Sequence, residues 1–411
     1  MNVRRSVAAL AISAALCATA APAAHGDDAK RPEGLYGTKD PKFDGVWRQS
    51  LALLAQDAVK VKPAKSAIDW LAGQQCADGG FAAYRADTGK ACDPKKGEFT
   101  DATGAAIQAL AAVGGRSAAV EKGIGWLKRT QNDDGGWGMN PGGTSDANST
   151  SVAVGAFAAT GLDPVEVAAP ASGKTPYDAL LGLQLDCSAK AGQRGAFAYT
   201  AGKGAPAAND LATVSAALAT RGSGLAIDPV GKDDGKKPEP LACGGKGGGA
   251  DRAPEDASEA ALAYLSTTMS GNGMHLKSAT PGAAKAQPDF GATADAITAL
   301  AAGQHSAAAA RPLQWLQGKD SGAAAWAKGD PGALAKLVLA AHAAGADPRH
   351  FGDADLVQQL NATGPKPAEQ QGAKDEKDDD GKGSVWWIVG SCAVAGMGIG
   401  FLFSGRKRQQ S

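Results

Sequence analysis

Apolar and polar positions along this chain fall into two alternating kinds of helical segment. One kind covers 63–75, 117–131, 175–185, 254–269, 307–317 and 352–361. It carries bulky residues toward its C-terminal ends, at Trp70, Trp126, Tyr264 and Trp315. The other kind covers 46–58, 101–113, 146–160, 209–220, 289–302 and 330–344, and is built mostly from Ala, Thr, Ser, Val and Leu with few charges. A helix that is apolar nearly all round is a buried one. The pattern therefore predicts six buried helices, each followed by a flanking one. Neither end of the series carries the polar capping repeat that an open solenoid needs. The expected fold is all-α: an inner barrel of six helices inside an outer ring of six, closed by contact between the first and the last.

The segments are joined by a recurring phrase. Trp126-Leu127 is followed by Gln131, Gly135-Gly136 and Trp137. Trp70-Leu71 is followed by Gln75, Gly79-Gly80 and Phe81, and Trp315-Leu316 by Gly322 and Trp326. Weaker copies run from Tyr264-Leu265 to His275, and from Leu180-Leu181 through Gln184 to Gly195 and Phe197. Copies return roughly every 50 residues, the length of a helix pair with its loop.

In a closed ring the inner helices run parallel, so their N-termini share one end. Asp101, Asp146, Asp210, Asp289 and Asp330 each stand near such a start. A carboxylate there caps orphan N–H groups, and it also reaches any ligand held at the mouth. The long loops 76–100 and 133–145 leave from the same end, which predicts the mouth there. Gly114, Gly161, Gly303 and Gly345 read as C-caps of the opposite end. Trp137, Trp326 and Phe81 offer rings for stacking on a flat ligand, or for pinning each loop to the ring. His275 sits at the aromatic position of its repeat, and His342 lies on an inner helix, facing either the lumen or the core.

The two ends of the chain read differently. Arg4 and Arg5 precede an apolar run and small residues at Ala21 and Ala23, the pattern of a secretory signal peptide over 1–26. Residues 34–362 form the expected toroid, with a flexible Gly-, Lys- and Pro-rich insertion at 222–252. A solvated linker follows at 363–384. An apolar stretch at 385–403 is long enough for a spanning helix. Arg406, Lys407 and Arg408 follow it and predict a cytoplasmic tail at 404–411. The expected location is the cell membrane, single-pass, with the toroid outside. Lys+Arg and Asp+Glu balance at 42 each, so nothing points to nucleic acid. Cys76, Cys92, Cys187 and Cys243 are an even set in an oxidising compartment, without metal-ligand spacing. Pairing Cys76 with Cys92 would close a repeat loop, and Cys187 with Cys243 would staple the insertion. Other connectivities are open at this stage.

The Trp-Leu…Gln…Gly-Gly-Trp phrase resembles the QW-type repeat of the prenyltransferase/squalene cyclase superfamily. The openings Asp101-Ala-Thr-Gly and Asp146-Ala-Asn-Ser resemble those of its α/α-toroid members, the transcobalamin-like branch included. The resemblance spans about 43–361 and implies an (α/α)6 toroid. Its members include cyclases, protein prenyltransferases, thioester proteins and corrinoid carriers, so activity rests on residues. The cyclase Asp-x-Asp-Asp motif is absent, the nearest run being Gln131-Asn132-Asp133-Asp134. No Asp-Asp-x-x-Asp diphosphate motif is present, and Cys243-Gly244-Gly245-Lys246 is not a thioester sequence. The expectation is therefore a membrane-anchored toroid that binds a hydrophobic or corrinoid-like small molecule and feeds an uptake transporter. It has no catalytic residue and no resident metal. Its expected ligand groups are Asp101, Asp146, Asp210, Asp289, Trp137, Trp326, His275 and His342, with a histidine as the candidate cobalt ligand. The alternatives are a toroid enzyme acting on an isoprenoid, or on a polysaccharide with Asp101 and Asp146 as the carboxylate pair of an inverting glycosidase, and a cell-envelope interaction module.

Overall fold

The computed structural model describes residues 32–93, 97–202, 206–231, 235–243, 252–278 and 286–368. The signal segment, the region from 369 through the predicted anchor, and the basic tail lie outside the described residues. Among the described residues no helix is long and apolar enough to cross a membrane.

The inner helices are α1 (Gly45–Ala58), α3 (Thr100–Val113), α5 (Ala147–Ala159), α7 (Asp210–Ala219), α9 (Phe290–Ala302) and α12 (Pro331–Ala343). Each packs on the next, and α12 returns to α1, so the ring closes as expected. Outside it lie α2 (Lys65–Gly73), α4 (Ser117–Thr130), α6 (Pro176–Leu181), α8 (Pro254–Gly271), α10 (Ser306–Gln317) and α13 (Leu356–Ala362), with a short α11 (Ala323–Ala327) before α12. Small side chains let the inner backbones come close. Ala105, Ala106, Ala153, Ala216, Ala296 and Ala340 have no exposed surface. Two outer helices are shorter than their sequence pattern. The segment 175–185 ends its helix at Leu181 because Gln184 turns inward, and 352–361 starts its helix only at Leu356, after a bridge between Phe351 and Ala354.

The repeat phrase belongs to this scaffold. Gln75 donates its side-chain amide to the carbonyls of Gly79 (3.0 Å) and Ala119 (2.8 Å). Gln131 does the same to Gly135 (2.8 Å) and Val167 (3.3 Å), and Gln184 to Gly195 (2.9 Å) and Ala257 (2.8 Å). Each glutamine thus ties its own turn to the start of the next outer segment, satisfying carbonyls that burial would leave without water. The turn glycine makes the approach close. Gly135 has φ +89°, a left-handed value that suits glycine, and a Cβ there would be driven into the Thr175 carbonyl. Replacing Gln184 with Leu should therefore cost roughly 2–4 kcal/mol, two buried carbonyls losing their donor and the Arg252 guanidinium one of its acceptors. Urea unfolding measures this, and a loss below about 0.5 kcal/mol would remove the clamp from the account of stability.

A second device fixes the residue after the turn. In four of the six inner helices a threonine hydroxyl in the first turn accepts the N–H of that residue. The pairs are Thr103 with Phe81 (2.9 Å), Thr150 with Trp137 (3.0 Å), Thr213 with Phe197 (2.9 Å) and Thr293 with Leu276 (3.0 Å). The repeat position in the fourth copy is therefore Leu276, and His275 stands one residue before it. Of the four predicted C-cap glycines, Gly114, Gly161 and Gly345 have positive φ. Gly303 does not, and Gln304 (φ +63°) takes the left-handed position instead.

The described parts of the 222–252 insertion, expected to be flexible, make contacts with the ring. Leu225 donates its N–H to Gln108 Oε1 (2.7 Å), and Val230 donates to the Ala343 carbonyl (2.8 Å). His305, buried, approaches the Lys236 carbonyl (3.1 Å) and Glu259 (3.0 Å). The strap thus crosses the C-terminal end of the inner ring. Both expected disulfides are present, Cys76–Cys92 and Cys187–Cys243, the second tying the strap to the α6–α7 connection.

Candidate binding site at the loop end of the ring

The acids that open the inner helices do different work. Asp146 caps α5 by accepting the Ser149 N–H (2.9 Å), and Asp289 caps α9 through Ala292 (2.8 Å). Asp330 caps α12 through Ala333 (3.1 Å) and pairs with Lys39 (2.8 Å). Asp210 lies inside the first turn of α7 and accepts the Tyr264 hydroxyl (2.8 Å), the cap being Asn209. Asp101 also lies inside its helix and is not the cap. It meets the Ser149 hydroxyl, while its Oδ1 is sealed from solvent and meets no donor.

This leaves two carboxyls facing each other from neighbouring helices. Burial pushes Asp101 up to about 6, with the Ser149 hydrogen bond opposing and the charge of Asp146 adding. Burial also raises Asp146, against N–H groups of Ser149, Asn148 and Met139 that favour its ionised form. Tyr199 stands beside both: burial first, then the two carboxylates, raise its phenol. Asn148 Oδ1 and Ser151 Oγ are likewise buried without a partner.

Around these acids the rim is apolar. Phe43 is 89% exposed just before α1, and Met139 is 51% exposed where its carbonyl accepts the Thr100 N–H at the start of α3. Tyr199 is 43% exposed where its carbonyl receives the Ala147 N–H at the start of α5. Leu211 (46%) is in the first turn of α7, and Trp326 (39%) leans on Phe290 at the start of α9. Five of the six large apolar side chains that are exposed among the described residues thus stand at this one end.

The remaining sequence candidates divide. Trp326 belongs to the rim and continues through Phe290 and Trp315 to His275, ring against ring (5.6, 5.8 and 4.6 Å between centroids). Trp137 is 1% exposed and donates its indole N–H to the Leu127 carbonyl (2.9 Å), so it packs the wall and reaches no ligand. His275 is spent on Trp315, and its Nδ1 lies 2.9 Å from the Leu276 carbonyl oxygen. His342 is in the last turn of α12, at the opposite end of the barrel from the acids. The two histidines therefore do not join the carboxylates at one site. Between the ends, the lumen is nearly filled. Trp47, Gln108, Val152, Leu225 and the Asp295–Lys336 ion pair leave a cavity of about 70 Å³, enough for a few water molecules and not for a corrin.

Sequence reasoning missed Met139, Tyr199, Phe43 and Leu211, because single exposed apolar residues in loops carry no period. Ser149 was visible only as part of a helix opening.

Residues 47–193 match the family described as prenyltransferase alpha-alpha toroid domain. No curated protein matches the chain. Among solved structures, one described as a protein from Actinoplanes is similar at 16% identity and a TM-score of 0.43, covering 76% of this chain and 92% of that one. Another, described as a wild-type glycosidase, is similar at 14% identity and a TM-score of 0.43, covering 77% and 89%. With α12 closed on α1 and the Gln–Gly clamp in three of its copies, the ring is an α/α toroid, and its residues 47–193 are similar to the prenyltransferase alpha-alpha toroid domain.

Proposed function

We propose that the loop end of the ring is a binding mouth for an amphiphile that presents apolar surface together with amide or hydroxyl hydrogen-bond donors, the corrinoids being the first class to test. The observation that carries this reading is the gathering of exposed apolar side chains at one end, interleaved with carboxylates. Patches of that kind mark ligand or partner surfaces. On this reading the ligand rests on the mouth, above α3, α5 and α7, the lumen below it being nearly filled. Asp101 Oδ1 is an acceptor without a donor, reached once the rim side chains above it shift. Corrinoid recognition here rests on the ring and its amide side chains, not on cobalt, because His275 is stacked and His342 is remote. On this reading the anchor at 385–403 holds the mouth outside the membrane, where the ligand passes to an uptake system.

Titrating the toroid with dicyanocobinamide, followed by Trp fluorescence and by equilibrium dialysis, tests the proposal. Saturable binding should weaken about tenfold or more in Trp326→Ala combined with Tyr199→Ala, two anchors of the kind that dominate binding sites. Equal affinity in that variant, or no saturation at millimolar ligand, would sink the corrinoid reading.

A second reading is favoured by the acid pair itself. A carboxyl titrating at about 6 beside one supplied with N–H donors is the arrangement of a proton donor and its partner in glycoside hydrolysis. It predicts release of nitrophenol from aryl glycosides that falls as pH rises through about 6 and is abolished in Asp101→Asn. Full turnover in that variant would exclude it.

A further inference from the structure

Four of the inner helices are buried along their middle except at one residue each. These are Trp47 within 45–56 of α1, Ser215 within 212–220 of α7, Asp295 within 291–301 of α9 and Lys336 within 333–341 of α12. All four line the cavity of about 70 Å³ in the lumen. The two remaining inner helices reach it through Gln108 and Ser151, so every helix of the ring adds a side chain to its wall.

Asp295 is the one Asp, Glu, Lys or Arg of α9, Lys336 is the one of α12, and the two meet here as an ion pair. Their side chains remain 32% and 23% exposed. Lys336 donates one N–H to Asp295 Oδ2, which leaves Oδ1 and the other ammonium hydrogens for a further partner. Ser151 is buried, and its Oγ has no hydrogen-bond partner. A buried ion pair adds little to stability over apolar packing, and an unpaired buried hydroxyl costs some. These polar groups are therefore not explained by the stability of the barrel. The rest of the wall is largely apolar, with Trp47, Val152 and Leu339. The pair lies close beneath the rim: a Cβ on Gly291 would stand 3.7 Å from both the Lys336 stem and the Trp326 ring. Room for a few waters is room for an arm of about four or five non-hydrogen atoms. Opposite charges in contact reject a group of either net charge, because an anion meets Asp295 and a cation meets Lys336. A neutral group with an acceptor and a donor side by side bonds to both without parting them, and a primary carboxamide is such a group.

We propose that this lumen pocket recognises an uncharged carboxamide arm: its carbonyl accepts from Lys336, its N–H groups donate to Asp295 and Ser151, and its short carbon chain packs on Trp47 and Leu339. The inference rests on the mouth reading for the body of the ligand, which lies above while one arm reaches down past Trp326. The pocket itself is testable without that body.

Saturation-transfer NMR titrations of the full chain with propionamide, propionate and propylammonium are the test. Propionamide should saturate, and each charged analogue of the same size should bind at least about tenfold more weakly. Lys336→Met leaves Asp295 alone and should reverse the preference, propylammonium then binding about tenfold more tightly than propionamide. Asp295→Leu combined with Lys336→Met removes the pair and keeps the barrel apolar. That variant should lose propionamide binding without losing thermal stability, which separates an empty pocket from an unfolded ring. Binding of propionamide without binding of dicyanocobinamide would strike the mouth reading and leave the pocket standing. No saturation by propionamide, equal binding of the three probes, or an unaltered preference in Lys336→Met would overturn the pocket.

Discussion

Replacing Trp137 with Ala should destabilise the toroid by about 4 kcal/mol, the middle of the range for deleting a buried aromatic side chain. Trp137 is 1% exposed, lies 5.9 Å from Phe157 between ring centroids, and donates its indole N–H to Leu127 at the end of α4. The substitution opens a cavity between α4 and α5 and leaves that carbonyl without its donor. Trp137→Phe keeps most of the apolar volume and should recover more than half of the loss. Trp326→Ala is the contrast. Its side chain is 39% exposed and rests on Phe290, so its removal should change stability by less than about 1 kcal/mol while weakening ligand binding. Urea unfolding of the three variants decides the matter. A Trp137→Ala loss no larger than that of Trp326→Ala would mean that the repeat aromatic does not hold the ring.

That contrast shows what was legible in the sequence. The ring was readable because burial imposes a composition. A helix surrounded by other helices has little solvent face to mark with charge, and α3, α5, α9 and α12 carry no more than one Asp, Glu, Lys or Arg each. The repeat was readable because Gln75 and Gln131 solve one local problem with one spacing, and Gln184 solves it again across a longer turn. Sites are made differently. Asp101 and Asp146 occupy equivalent places in the sequence pattern, yet only Asp146 caps its helix, because α3 begins one residue before Asp101 and α5 one residue after Asp146. A one-residue offset in a helix start separates a satisfied cap from an unpartnered buried oxygen. Trp137 and Trp326 likewise share a repeat position, but the short α11 turns Trp326 outward. The strap escaped because its contacts, Leu225 to Gln108 and Val230 to Ala343, join residues more than a hundred positions apart.

The unpartnered oxygen has a measurable consequence. Asp101→Asn should stabilise the toroid above pH 7 by about 3 kcal/mol, the value of a two-unit rise over the ordinary Asp range. The sign follows from the raised carboxyl. With a folded value of about 6, the group favours the folded state fully at low pH and loses that contribution as pH rises to about 6. Above that, folding holds a buried, half-satisfied negative charge beside Asp146. Asn keeps the acceptor for the Ser149 hydroxyl and never ionises, so the variant's stability should be flatter between about pH 4 and 7. A ligand that donates to Oδ1 acts in the opposite direction, favouring the ionised carboxylate, so wild-type affinity should strengthen as pH rises through about 6 while that of Asp101→Asn stays level. Hydrolysis by a protonated Asp101 would show the reverse, activity fading over the same interval. Unfolding free energies and dicyanocobinamide affinities measured from pH 4.5 to 8 on both proteins separate these cases. Parallel stability curves for wild type and variant would show that Asp101 ionises without cost, and with that the candidate site would lose its most distinctive member.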